Sequence, residues 1–287
     1  MTAVFALATS LLWGLADFGG GLLTRRFPAL TVVVVSQGVA AVVLGAVVLA
    51  TGGWTEASPR LWFAAAAGLV GPVAMLCFYR ALALGPMGVV SPLATVGVAV
   101  PVSVGLLLGE RPGLVQYAGI AVAVVGIVLA GGPELRGAPV QRQAVAMTLV
   151  AAFGFGAVMA LVAEASHTVT GLFLALFVQR VCNVAVGGAA LAVSARRGAP
   201  VLPEGGTPAV WRSLPALSFV GLADVAANGS YALAARHGPV AVAAVLASLY
   251  PVVTALAARG LLGERLRPVQ AAGAGLALAG SVLLAAG

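Results

Sequence analysis

The chain has 287 residues, of which 61% are hydrophobic and only 8% are charged. A soluble globular domain carries about 25% charged residues, so this chain cannot coat a water-facing surface and most of its surface must face lipid. The net charge of +7 comes from arginines in short loops, without interleaved aromatic residues, which argues against nucleic-acid binding.

Ten apolar runs can each cross a bilayer, whose hydrocarbon core needs about 20 helical residues, with a range of about 17–25. Gly, Pro and Arg mark nearly all of the breaks between them, as helix ends near a membrane surface should. The runs lack the period-two alternation of membrane β-barrels. We therefore predict an all-α polytopic membrane protein with ten transmembrane helices, at about 3–23, 31–51, 61–84, 87–109, 114–131, 143–163, 169–194, 212–235, 240–262 and 268–286.

The first two predicted spans carry polar side chains inside the membrane. Ser10, Trp13 and Asp17 fall on one face of the first span at helical spacing. Ionisable groups within a bilayer usually face a cavity or a partner. Trp13 can stack on an aromatic or cationic solute, or it can serve as a packing residue. By its depth in the second span, Gln37 should stand near Asp17.

The seventh and eighth predicted spans carry a second pair of charges. Counted from the loop between these spans, Arg180 and Asp224 lie at about 22 and 20 Å, so they reach similar depth. A structural ion pair and a substrate-binding role for Arg180 both remain open. Asn228 and Tyr231 follow Asp224 at i+4 and i+7 on the same face. We predict Asp224 to be the coupling or cation-recognition group, with Asp17 as the next candidate.

The pentapeptide LLGER occurs at 107–111 and again at 261–265, at half-length spacing. A shift of 142 residues also places Gln179 on Gln37, and a shift of 153 places Tyr231 on Phe78. Because each copy contains five spans, the second enters the membrane from the opposite side. Such inverted repeats are common in secondary transporters, with the solute site near the midplane. We predict a first five-helix repeat at 1–132, a connecting loop at 133–142 and a second five-helix repeat at 143–287.

Several segments resemble the drug/metabolite transporter superfamily in its ten-helix EamA-type form. They are LLWG in the first span, FYRALALGPMGVVSPL, SYALAARHGPVAVAAVLASLYPVVTALAA, and LGER twice. The resemblance covers essentially the whole chain and implies a cavity built mainly from helices 1, 3, 4, 6, 8 and 9. Together with Arg180, which is added for its depth, the residues expected at this substrate site are Trp13, Asp17, Tyr79, Phe155, Asp224, Asn228 and Tyr231.

We expect a secondary transporter that exports small organic solutes, such as amino acids or related metabolites, by alternating access. A proton-coupled exporter of cationic compounds is the first alternative, and a passive lipid scramblase or channel is the second. The expected partners are the solute, the lipid bilayer and a proton as candidate coupling ion, with no nucleic acid, and the assembly is a monomer or homodimer. The two histidines at span ends and two isolated cysteines supply no catalytic set, so we expect no enzyme, cofactor or metal.

Two arguments about orientation disagree. The resemblance implies a plasma (inner) membrane protein with both termini in the cytoplasm. That orientation leaves only Arg60, Arg111 and Arg236 in the inner loops, and the positive-inside rule prefers the larger set inside. We keep the orientation implied by the resemblance as an expectation. The arginines then assigned to outer loops are Arg25, Arg26, Arg136, Arg142, Arg196, Arg197, Arg212, Arg265 and Arg267.

Overall fold

The computed structural model describes residues 1–24, 26–84, 99–107, 111–130 and 142–262, with single residues or pairs between 94 and 109 and between 268 and 283. The regular elements within these ranges are helices, which confirms the predicted all-α fold. Numbered in chain order, they are α1 (Thr2–Thr24), α2 (Ala29–Thr51), α3 (Leu61–Leu84), α4 (Ala99–Leu107), α5 (Leu114–Ala130), α6 (Arg142–Glu164), α7 (Val169–Arg196), α8 (Gly206–Arg212), α9 (Leu214–His237), α10 (Val240–Ala247) and α11 (Tyr250–Leu262).

Helix α2 shows how local sequence sets the helix ends. Pro28 precedes its first residue, and the fixed φ of proline suits the start of a helix. At the other end, Gly52 adopts a left-handed backbone with φ of 66°, and its N–H bonds to the carbonyls of Leu49 and Val48. Glycine is favoured at this position because it has no Cβ to clash.

The structure differs from the predicted spans in two places. The span predicted at 240–262 is interrupted, because α10 ends at Ala247 and α11 begins at Tyr250. Pro251 has no N–H to donate and its ring disfavours a continuous helix, which accounts for the interruption. The loop predicted near 195–211 contains the short helix α8. The spans predicted at 87–109 and 268–286 lie largely outside the described residues.

The bundle interior is lined by small side chains. On α1, Ala6, Ser10 and Gly14 are buried, whereas Val4 and Leu11 are exposed on the outer surface. Small residues let helix backbones approach closely, which matters in a bilayer because lipid gives no hydrophobic drive for helices to associate. The larger apolar side chains are therefore free to face lipid.

The most extensive helix contacts join opposite halves of the chain. Helix α1 packs along α9, α3 along α6, and α2 along α7. If the long helices are counted separately in each half, the first helix of one half packs on the third helix of the other, and the two second helices pack on each other. A two-fold axis relating inverted repeats produces this pattern. It brings the middles of α1, α2, α7 and α9 together.

Five helical segments of the described chain are long and apolar enough to cross a membrane, judged by length and composition alone. They carry at most two charged residues in their most apolar window. Four of them, two from each half of the chain, form two of the three packed pairs described above, α3 with α6 and α2 with α7. The five segments are Thr2–Thr24, Ala29–Thr51, Leu61–Phe78, Arg142–Glu164 and Val169–Arg196.

Gly221→Ala should destabilise the bundle. A Cβ at Gly221 of α9 would overlap the backbone oxygen of Ser36 in α2, so the two helices would have to separate. We expect a loss of about 1–3 kcal/mol, as for other overpacked interiors. Gly38→Ala on α2 is the matched control, because its Cβ would meet open space. The thermal unfolding midpoint of each detergent-purified variant measures the effect, and equal midpoints would contradict it.

Candidate functional site

The carboxylate of Asp224 is the centre of a polar cluster in the middle of the bundle. Arg180 Nη1 approaches Asp224 Oδ2 at 2.6 Å, and Gln37 Nε2 donates to the same oxygen at 3.0 Å. Trp13 Nε1 donates to Oδ1 at 3.1 Å, and Asn228 Nδ2 does so at 3.2 Å. Arg180 Nη1 also donates to Gln37 Oε1. We call these five residues the Asp224 cluster.

The cluster joins the two halves of the chain. Trp13 and Gln37 come from α1 and α2, whereas Arg180, Asp224 and Asn228 come from α7 and α9. The predicted Arg180–Asp224 pair is confirmed, and Asn228 shares the face of Asp224 as expected. Gln37, which was expected to stand near Asp17, bonds to Asp224 and Arg180.

An aromatic group lies next to this cluster. The indole of Trp13 stacks on the ring of Tyr231, with centroids 6.2 Å apart and planes 29° apart. Tyr250 meets Trp13 edge-on at 6.1 Å. Tyr231 is fully buried, so neither Trp13 nor Tyr231 is a purely lipid-facing residue. Sequence reasoning missed Tyr250, although its place just before Pro251 in a mid-span break was a usable signal.

The cluster face of α1 becomes more open toward its C-terminal end. Ser10 is buried, Trp13 is half-buried and Asp17 is exposed. Asp17 lies within electrostatic range of Asp224 and Tyr250. Because these residues are spaced about one turn apart on one face, exposure along this face increases toward the loop that follows α1.

The remaining predicted site residues are placed differently. Phe155 of α6 packs edge-on against Phe78 of α3, with ring centroids 5.8 Å apart, rather than on the Asp224 cluster. The side chain of Tyr79 lies outside the described residues. The structure therefore brings together Trp13, Arg180, Asp224, Asn228 and Tyr231, with Asp17 one turn from Trp13.

Arg180 is buried but incompletely paired. Its residue exposure is 2%, and its Nη1 supplies the bonds to Asp224 and Gln37. Its Nε and Nη2 are buried without an acceptor among the described residues. Buried donors are costly when they are left unpaired, especially on a charged group. The Nε and Nη2 donors of the guanidinium are therefore available to an acceptor.

The equivalent positions of the other half lack these charges. The sequence shifts place Gly71 opposite Asp224 and Gly38 opposite Arg180. Only the aromatic contact is retained, since Phe155 and Phe78 occupy the positions equivalent to Trp13 and Tyr231 and also pack together. Helix packing in this fold therefore does not require a buried ion pair, which favours a functional role for the Asp224 cluster.

A second set of polar contacts joins the halves at the membrane end near the N-terminus. Arg60 Nη1 pairs with Glu164 Oε2 at 3.1 Å, and Thr168 Oγ1 donates to Glu56 Oε2 at 2.9 Å. Within the second half, Arg236 supports the same loop by donating to the backbone oxygens of Ser166 and Thr168 at 2.7 and 2.8 Å. We call these contacts the end latch. They hold the loop between α6 and α7 against α3 and α9.

Comparisons with known proteins agree with this architecture. The model of the EamA-like transporter family matches residues 1–132 and 142–286. A relative from Sinorhizobium sp, described as an uncharacterized transporter in the cobO 3′ region, is 34% identical over 128 residues, covering 38% of this chain and 91% of the relative. A crystal structure described only as that of a protein has a TM-score of 0.71 at 18% identity, covering 98% of this chain and 95% of its own. At that identity, the likeness shows the fold alone.

Fold and site define a polytopic membrane protein whose two halves meet at a charged cluster within the bundle. The chain belongs to the EamA-like transporter family, as the sequence resemblance indicated. It is therefore a multi-pass membrane transporter of small-molecule solutes and not an enzyme.

Asp224→Ala should strongly destabilise the protein. It strands the Arg180 charge in the bundle interior, and breaking a buried pair costs about 3–5 kcal/mol. The double change Arg180→Met with Asp224→Leu removes both charges and should recover part of the folded yield. Monodisperse yield and unfolding midpoint in detergent are the measurements.

The matched control is Glu164→Ala, which removes the partner of Arg60. That pair is more than one-third exposed, and exposed pairs contribute only about 0–1 kcal/mol. Equal losses at Glu164 and Asp224 would show that the buried pair contributes no more than a surface contact.

Proposed function

We propose that this chain is a secondary transporter that exports small organic solutes, such as amino acids or related metabolites, by alternating access. Its two halves would rock about the Asp224 cluster, in the plasma membrane with both termini in the cytoplasm. The observation that carries the proposal is the ion pair between buried Arg180 and partly buried Asp224, which is bridged to Gln37 and Trp13 of the other half. Intramembrane charges of this kind mark solute or ion pathways.

The two ends of the bundle support alternating access. The face of α1 opens beyond Trp13 toward Asp17, while the end latch joins the halves at the opposite end. A site reachable from one side and closed on the other is what one conformation of such a transporter requires. Rocking the halves would break the end latch and cover Asp17.

A proton-coupled exporter of cationic compounds is the second candidate. Asp17 favours it, because an exposed carboxylate one turn from an indole can hold a cation by charge and by the ring face. A passive scramblase or channel has less support. It would need a continuous polar path, whereas the Asp224 cluster is confined to the middle of its helices.

Purified protein in liposomes should move radiolabelled amino acids, tested individually with and without a pH gradient. Trp13→Ala removes both the bond to Asp224 and the stacking on Tyr231, and should lower uptake by at least about tenfold, equivalent to about 1.4 kcal/mol. Trp62→Ala is the matched control, because Trp62 is 67% exposed at the start of α3. Uptake equal to that of protein-free liposomes for amino acids, other metabolites and organic cations would contradict a transport role.

Asp17→Asn should separate coupling from solute movement. The sequence favoured Asp224 as the coupling group, with Asp17 as the next candidate. Because both oxygens of Asp224 already accept hydrogen bonds and Asp17 is exposed, we propose Asp17 for proton uptake and release. We expect the variant to lose pH-driven accumulation and to keep solute exchange within about threefold, less than 1 kcal/mol. Glu204→Gln is the control and should keep both, because Glu204 is exposed just before α8 and belongs to neither the Asp224 cluster nor the end latch. Unchanged pH-driven accumulation in Asp17→Asn would rule out this role.

A further inference from the structure

We propose that the Nε–Nη2 edge of Arg180 binds a carboxylate group of the transported solute. The inference rests on the proposed transport function and names the chemical class of its solute: an organic acid or a zwitterion, rather than an organic cation. It assigns to Arg180 a specificity role that differs from its structural pairing with Asp224.

The hydrogen bonds of Arg180 leave this edge unused. Nη1 serves both Gln37 and Asp224, while Nε and Nη2 are buried and lack acceptors among the described residues. The other acceptors of the cluster are already engaged. Asp224 Oδ2 accepts from Arg180 and Gln37, and Oδ1 accepts from Trp13 and Asn228. The cluster therefore has two adjacent N–H donors without an acceptor, and no carboxylate oxygen without a donor.

The shape of the free edge selects the ligand. Nε–H and Nη2–H point in parallel from a planar group, which matches the two oxygens of a carboxylate. Asp224 neutralises the guanidinium only through Nη1, so a second anionic group can bind without displacing Asp224. An organic cation at the same point would meet the positive guanidinium and would find no free acceptor on Asp224.

Two features place the rest of the solute. Trp13 is half-buried and bonds to Asp224, and the exposed residue Asp17 lies one turn farther along the same face of α1. A solute with its carboxylate at Arg180 would extend past the indole toward Asp17. An α-amino group fits this arrangement, since Asp17 carries the opposite charge. Because Arg180 is enclosed by protein, we infer that the solute reaches it when the halves separate.

Competition on the unmodified protein is the first test. Liposomes take up radiolabelled L-leucine, L-phenylalanine or L-serine while an excess of each free acid, its amide or its decarboxylated amine is present outside. We expect the free acids to compete at least about tenfold better than the amides and amines, because only they offer two anionic oxygens. Equal competition by amines or amides would overturn the inference. Transport of organic amines with no transport of any carboxylate would also overturn it, while leaving the transport function intact.

Arg180→Lys is the second test, because it keeps the charge that faces Asp224 but removes the planar two-donor edge. We expect KM for the free acids to rise at least about tenfold, with the discrimination between acids and amides lost and the unfolding midpoint close to that of the unmodified protein. Arg60→Lys makes the same chemical change in the end latch and should leave discrimination unchanged. If Arg180→Lys folds and still prefers the acids, the inference is wrong. If it does not fold, the competition measurement decides alone.

Discussion

The pairing of one guanidinium with one carboxylate in the bundle interior constrains the four central helices. An unpaired charge there would be costly, so Arg180 and Asp224 must lie opposite each other, which fixes the rotation of α7 and α9. The bonds from Gln37 and Trp13 then fix α2 and α1. The side chain of Asp224 is short, so its contact with Gln37 requires the backbones of α9 and α2 to lie close together. Gly221 supplies that closeness, since its Cα lies against the main chain of α2.

The two halves share a scaffold but differ in chemistry. The aromatic pair of each half is retained, yet the charged residues of the second half have glycine counterparts in the first. Gly71 stands at the position equivalent to Asp224, so the first half offers no matching carboxylate to Gln179, the counterpart of Gln37. The buried Oε1 of Gln179 has no donor among the described residues. The pseudo-symmetric fold thus has one charged site, the Asp224 cluster, and one largely apolar equivalent site around Phe78 and Phe155. Such a site suits a solute that is itself charged at one end.

Sequence reasoning located the charges but not all of their contacts. The depth of Arg180 and Asp224 follows from helical rise and loop positions, so their pairing was predictable. Rotation about each helix axis does not follow from depth, which is why the bonds of Gln37 to Asp224 and Arg180 were not predicted. The interruption before Pro251 needed more than hydropathy, because the whole segment is apolar and only the missing N–H of proline signals it. The repeat correctly makes Phe155 the counterpart of Trp13, and Phe155 accordingly packs on Phe78, the counterpart of Tyr231.

The contacts of the Asp224 cluster are stronger than those of the end latch, and this difference favours a rocking movement of the halves about the cluster. Arg180 is buried within the Asp224 cluster and the side chain of Asp224 is only 25% exposed, so separating their charges without a replacement partner would be costly. The end latch is built from half-exposed side chains, and water can replace its hydrogen bonds at little cost. The halves can therefore part at the latch while the cluster remains closed. A solute carboxylate that pairs with Arg180 would add a new partner for the guanidinium and lower the cost of rearranging the cluster itself. Solute binding and separation of the halves would then favour each other, because the solute reaches Arg180 as the halves part and stabilises the arrangement in which Arg180 is accessible.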